Sequence, residues 1–168
     1  MKIGNEMKTY KKIIAGVTGI FIGVVQGISV NVMAAEVNVR TDAPVVQVSN
    51  LQYSYEQMKQ DLETLQEKYP EQMQIESLGT TADGREILEA VLGNVNAEHH
   101  ILIQATMHAR EYMNTVLAMN QIEDYLRYSE ERSYNGKIWS ELYKKVCLHV
   151  IPLVNPDGVT ISQKGVDG

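Results

Sequence analysis

Cysteine is all but missing from this chain. Cys147 is the single one in 168 residues, so no disulfide can form within the molecule. It lies in the apolar run 146–151 and reads as an inert buried thiol rather than a nucleophile. Positive charge is scarce as well: 15 Lys and Arg stand against 21 Asp and Glu, a formal net charge of -6. No basic stripe interrupts this acidity, which excludes nucleic acid as a partner. Internal repeats and low-complexity tracts are absent. The length is one domain's worth at most.

What is present begins with an address. Lys2, Lys8, Lys11 and Lys12 form a positive start, residues 13–35 carry no charge, and residues 13–25 are strongly apolar. Val32, Met33, Ala34 and Ala35 supply small residues for cleavage. Residues 1–35 therefore read as a secretory signal peptide, and the protein as secreted and extracellular, with cell-wall association open to it. The competing reading is an uncleaved anchor. The stretch barely reaches spanning length, and Gly16, Gly19, Gly23, Gln26, Ser29 and Asn31 dilute it. After cleavage no stable membrane association is expected. The signal takes four Lys and one Glu with it, leaving 11 basic and 20 acidic residues and a formal charge of -9. An exported chain without disulfides fits a Gram-positive-type exterior.

Residues 36–52 read as a linker and residues 53–168 as the folded part. Ser54 is placed to cap a helix, with Gln57 positioned to reach back in a capping box. Met58, Leu62, Leu65 and Tyr69 mark one helical face, and Pro70 ends it. Residues 73–78 alternate as a half-exposed strand, Asp83-Gly84 turns the chain, and residues 87–92 return. Residues 101–106 read as a buried strand and residues 112–128 as a helix burying Val116, Met119, Ile122 and Leu126. A polar loop over 129–136 leads to a short helix around 138–143. The nearly all-apolar run 146–154 reads as a central strand covered on both faces, ended by the turn residues Asn155, Pro156, Asp157 and Gly158. Strand, helix and strand in this order give an α/β sandwich with a mixed β-sheet flanked by helices.

His108 and Glu111 stand where the strand at 101–106 passes into the helix at 112–128. Three residues apart at such a junction, an imidazole and a carboxylate can point at one spot. A hydrolytic zinc site takes three protein ligands and keeps a fourth position for water. His108 and Glu111 are the close pair of such a site, and the third ligand has to come from elsewhere. His149 is the in-chain candidate, weighed against a satisfied histidine on a sheet face, since mid-strand it is committed to one face. His99 and His100 read as surface residues at the far end of the strand. Tyr112 and Tyr125 read as packing residues. Glu123, Asp124, Glu130 and Glu131 read as a solvated face.

Thr106-Met107-His108-Ala109-Arg110-Glu111, followed by Pro152-Leu153-Val154-Asn155-Pro156-Asp157-Gly158, resembles the zinc carboxypeptidase family of the carboxypeptidase A type. Asp83-Gly84-Arg85 also looks like that family's segment before the metal strand. The closest flavour is the bacterial branch, which includes cell-wall peptidases cutting γ-D-glutamyl–diamino-acid links. The resemblance runs from about Ser54 to the C-terminus. It implies the N-terminal portion of a zinc-carboxypeptidase-like α/β sandwich, with Zn2+ as cofactor at one site, incomplete in this chain. His108 matches the first zinc ligand, Glu111 the second, and Arg110 an arginine lining the substrate cleft. Residues 155–158 match a loop that shapes the cleft floor.

The family's third ligand, its carboxylate-gripping Asn-Arg pair, its carbonyl-polarising arginine and its general-base glutamate have no counterpart before Gly168. No catalytic residue is therefore expected within this chain. The expected function is a zinc-dependent metallopeptidase by lineage, acting on peptides or cell-wall muropeptides, incomplete and inactive alone, with a missing C-terminal half as partner. The alternative is a non-catalytic exported module that binds peptide or cell-wall fragments. Either way, the strand at 101–106 is expected to keep an unpaired edge and an uncovered apolar face.

Overall fold

Ser54 starts the first helix, α1 (Tyr55–Lys68). Its backbone is extended, and its hydroxyl accepts from the Gln57 N–H at 3.2 Å, which satisfies one of the helix's orphan donors. The capping box is not reciprocal, however. The Gln57 amide reaches forward to Asp61 Oδ1 at 2.8 Å instead, because Asp61 is buried and also accepts from the Tyr53 hydroxyl at 2.6 Å. Met58, Leu62 and Leu65 are buried as the spacing predicts, and the helix stops at Tyr69, just before Pro70. These features come from a computed structural model that describes residues 43–50 and 52–166. The expected signal peptide, 1–35, lies outside the described residues.

Two strands follow, β1 (Met73–Thr80) and β2 (Glu86–Gly93), paired antiparallel with an irregularity between Ser77 and Thr80. Gly84 turns the chain at φ 80°, a conformation a side chain disfavours. Strand β3 (His99–Gln104) leads through residues 105–111 into helix α2 (Tyr112–Arg127). Val116, Met119, Ile122 and Leu126 are all buried on α2. The loop expected over 129–136 instead contains half of a small hairpin, β4 (Ser133–Tyr134) and β5 (Lys137–Ile138). Asn135 and Gly136 take φ 50° and 75° at its turn, so Asn-Gly was the signal for it. A single turn, α3 (Trp139–Leu142), precedes β6 (Val146–Ile151).

A last helix, α4 (Pro156–Lys164), was not expected. Asn155 caps it by accepting from the Gly158 N–H at 2.9 Å, and Pro156 opens it. The same residues that signal a turn also signal a helix start, and Val159 and Thr160 are buried by the outcome. A Cβ on Gly158 would lie 2.6–2.8 Å from the Asn155 side chain, so the cap needs glycine there.

The sheet order is β1-β2-β6-β3, with β2 antiparallel and β3 parallel to β6. One face carries Met73, Leu88, Ala90, Leu92, Leu148 and Val150, which join Leu62, Leu65, Met119, Ile122 and Val159 from the helices in one core. Each buried Leu, Ile, Val or Met side chain among them contributes roughly 1.5–3 kcal/mol. Strand β6 is central, as its apolar run predicts. Strand β3, read as buried, is a sheet edge among the described residues: Ile101 is 47% and Leu102 61% exposed. Its apolar run is matched by a neighbour on one side only.

Two carboxylates tie the periphery down. Glu123, expected on a solvated face, is buried. Its oxygens accept from the Val45 and Val46 N–H groups, each at 2.9 Å, and Arg127 lies at 3.4 Å. Val46, from the stretch read as linker, is thereby held in the core. Asp157 of α4 accepts from the Thr81 hydroxyl at 2.7 Å, Arg85 at 2.9 Å and the Asp83 N–H at 3.2 Å. It joins the β1–β2 turn to the start of α4. Burial pushes the Asp157 carboxyl up, but these donors outweigh it and hold the group below its usual range.

A depressed carboxylate contributes stability above its unfolded pKa of about 3.9 and loses it as pH falls through the folded value. Asp157→Asn is expected to cost about 1–2 kcal/mol at pH 7, read from urea unfolding. Between pH 5 and 3 the native chain should lose stability more steeply than the variant. Parallel pH profiles would contradict this role.

Candidate metal centre at the ends of two parallel strands

Parallel neighbours in an α/β sheet present their carboxyl ends side by side, and ligand sites form in the crevice beyond them. Here the neighbours are β3 and β6. Past their last paired residues the chains stay bonded: Ala105 N–H donates to Ile151 O at 2.9 Å, Val154 N–H to Ala105 O at 3.1 Å, and Asn155 N–H to Thr106 O at 3.2 Å. The Asn155 amide adds a bond to Met107 O at 3.2 Å. The two segments singled out in the sequence, 106–111 and 152–158, are therefore one structural unit.

His108 and Glu111 project from this unit. His108 Nδ1 and Glu111 Oε1 are 2.9 Å apart, with the side chains 75% and 45% exposed. Glu111 occupies the N-cap position of α2, yet its side chain makes no cap bond. The carboxylate is turned to the imidazole instead of to the helix's free N–H groups. An open, solvent-facing nitrogen and carboxylate oxygen at this spacing fit a zinc ion, which takes both ligand types at about 2.0–2.2 Å. Arg110, between them in sequence, is exposed and makes no hydrogen bond or ion pair within the described residues.

No third His, Cys, Asp or Glu gathers with His108 and Glu111 among the described residues. His149 does not supply it. Its ring lies on the sheet face, with Nδ1 at 3.1 Å from the buried Glu89 and Nε2 at 2.9 Å from His100 Nδ1. His99 and His100 are exposed, as expected, but belong to β3 itself. Tyr112 and Tyr125 pack against the core. A shallow cleft lined by Leu92, Gly93, Leu126 and Tyr143 lies at the opposite end of β2 and β6, remote from His108.

Residues 58–167 match the zinc carboxypeptidase family. Over 114 residues the chain is 32% identical to γ-D-glutamyl-L-diamino acid endopeptidase 1 of Lysinibacillus sphaericus, covering 67% of this chain and 28% of that protein. It is 25% identical over 107 residues to carboxypeptidase B of Astacus astacus, covering 63% and 33%. Among solved structures it resembles thrombin-activatable fibrinolysis inhibitor, with a TM-score of 0.60, 19% identity and coverage of 74% and 31%. Carboxypeptidase A from Helicoverpa armigera gives 0.56, 22%, 67% and 26%. These two likenesses show a shared fold. The chain spans about a third or less of each of these proteins.

Thr106 is the residue that sequence reasoning could not single out. Its φ is 53°, a left-handed conformation that is strained for a β-branched residue. It is buried, and its hydroxyl bonds Glu111 O at 3.1 Å and the Thr115 hydroxyl at 2.7 Å. These bonds hold the kink that turns the chain from β3 towards His108. Thr106→Val, which keeps the strain and removes the bonds, is expected to destabilise the fold by about 2–3 kcal/mol. Thr106→Ser should cost markedly less. Equal unfolding midpoints for the two variants would dismiss the hydroxyl's role.

Proposed function

The chain belongs to the zinc carboxypeptidase family, and from that premise we propose that His108 and Glu111 hold the zinc ion of an exported metallopeptidase. The observation that carries this reading is the 2.9 Å approach of His108 Nδ1 to Glu111 Oε1 at the solvent-facing end of β3. When bound, the ion supplies a Lewis acid that polarises a peptide carbonyl and lowers the pKa of water.

The chain's own residues do the rest of what this portion contributes. His108 offers a neutral nitrogen and Glu111 a negative oxygen, so the pair removes one of the ion's two charges. Thr106 and Asn155 fix the loop that carries them. Arg110 places a cation beside the pair for a substrate carboxylate or carbonyl. Peptides are the substrate class. The likeness to an enzyme named for the γ-D-glutamyl-L-diamino acid link supports muropeptides of the cell wall within that class. The positive start and uncharged apolar stretch of residues 1–35 support an extracellular address.

With two ligands, zinc affinity should be micromolar or weaker. A zinc titration followed at the His108 imidazole resonances should shift them in the native chain and not in Glu111→Ala. Nanomolar binding there would mean a third ligand inside the chain.

The activity is tested in a chimera in which residues 58–167 replace the aligned segment of the Lysinibacillus enzyme. Hydrolysis of a γ-D-glutamyl–diamino-acid substrate should be chelator-sensitive and fall to background in His108→Ala and in Glu111→Ala. A folded chimera that is inactive, or active without His108, would refute the assignment. The purified chain by itself should leave the substrate intact.

A further inference from the structure

The sheet face opposite the helices carries a group of ligand-type side chains that the centre at His108 does not use. Strand register sets His100 of β3 beside Cys147 of β6, and Leu102 beside His149. Cys147 and His149 are two apart on one strand, so both point the same way as His100. One ligand atom from each of the three lies within 4.8 Å of the others. Along β3, His100 sits roughly 13 Å before Gln104, and His108 lies beyond that end.

The outer nitrogens of the two rings have partners that decide where the protons sit. His149 Nδ1 is 3.1 Å from the buried Glu89 carboxylate, which as an ion only accepts, so that nitrogen carries hydrogen. His100 Nε2 is 3.1 Å from the Ala97 carbonyl oxygen, which also only accepts, so that nitrogen carries hydrogen too. In neutral rings the inner nitrogens, His100 Nδ1 and His149 Nε2, are then both bare lone pairs. They face each other at 2.9 Å. Two lone pairs at that distance repel unless a cation is shared between them.

We propose that His100, Cys147 and His149 form a second metal site, taking a zinc-like divalent ion through two nitrogens and one sulfur. Borderline-soft donors of this kind select zinc over magnesium or calcium. Glu89 stands behind His149 as the carboxylate that fixes a ligating imidazole's tautomer. Tetrahedral bonds of about 2.0–2.3 Å place ligand atoms about 3.3–3.8 Å apart. The present 2.9–4.8 Å spread closes on that value with a small swing of the exposed His100 ring. The fourth position opens on the solvent side, where His100 is exposed. Cys147 is fully buried, so it binds as a thiolate formed when the ion displaces its proton.

Cobalt(II) added to the reduced, metal-free full chain is the probe. A thiolate-to-cobalt charge-transfer absorption should appear, saturate at one ion per chain and bleach when zinc is added. It should persist in His108→Ala and disappear in His100→Ala, whose position on an exposed edge spares the core. His149→Gln tests the same loss from the other strand, with circular dichroism reporting the fold of each variant. Glu89→Gln should weaken cobalt binding by about 10–100-fold. No charge-transfer absorption, an absorption that survives in folded His100→Ala or His149→Gln, or one that vanishes with His108→Ala would overturn the proposal. The first of these is the result expected if a proton alone bridges the two rings.

Discussion

The parallel pairing of β3 with β6 is the constraint on which the rest of the molecule depends. Six consecutive residue pairs, from His99 with Val146 to Gln104 with Ile151, set the register. That register fixes both ends of the two strands at once. At the carboxyl end it brings residues 105–107 against residues 151–155, so four further bonds lock the loops together. At the other end it aligns His100 with Cys147. A slip of one residue would turn every side chain of β3 to the opposite face. It would put Ile103 on the polar face and separate His100 from its partners.

The same pairing leaves β3 with a free edge among the described residues, and this shapes the energetics. The core is built by β1, β2 and β6 against α1, α2 and α4, with Ile103 alone of β3 packed beside it. Ile101 stays about half, and Leu102 more than half, in water. Apolar side chains and unpaired backbone groups along such an edge favour association with another strand. Strand β3 is thus the least supported strand of the sheet, and it is the one that delivers His108. Its anchorage comes from the loop bonds at its end and from Thr106, rather than from burial along its length.

Carboxylates wholly or partly withdrawn from water, Glu123 buried and Asp157 half-buried, are used at places where connections must be held. Glu123 takes two backbone donors from residues 45–46, and Asp157 takes three donors from the turn between β1 and β2. A carboxylate out of water is costly unless fully partnered. Both groups therefore specify where a distant segment sits. Glu123 lies in a run with Asp124, and Glu130 and Glu131 follow close behind, and in sequence nothing separates it from them. Its helical position, one residue past Ile122, carries it to the edge of the buried face, where residues 45–46 happen to pass. For Asp157 the turn-like residues around it hid the fact that they begin a helix.

Much was nevertheless legible without coordinates, because it rests on local physics. Periodicity located α1 and α2 and their buried positions, the Asp-Gly turn located the first hairpin, and an uninterrupted apolar run located central β6. The spacing of His108 and Glu111 at a strand–helix junction was visible because both residues come from one turn of chain. What the sequence could not contain is the outcome of pairings between residues far apart in it. The anchoring by Asp157 and the meeting of His100 with Cys147 and His149 each need two segments brought together by the sheet, and the left-handed Thr106 needs its loop folded back onto the start of α2. No property of either segment alone encodes such a meeting, since strand register is decided by how the whole core closes.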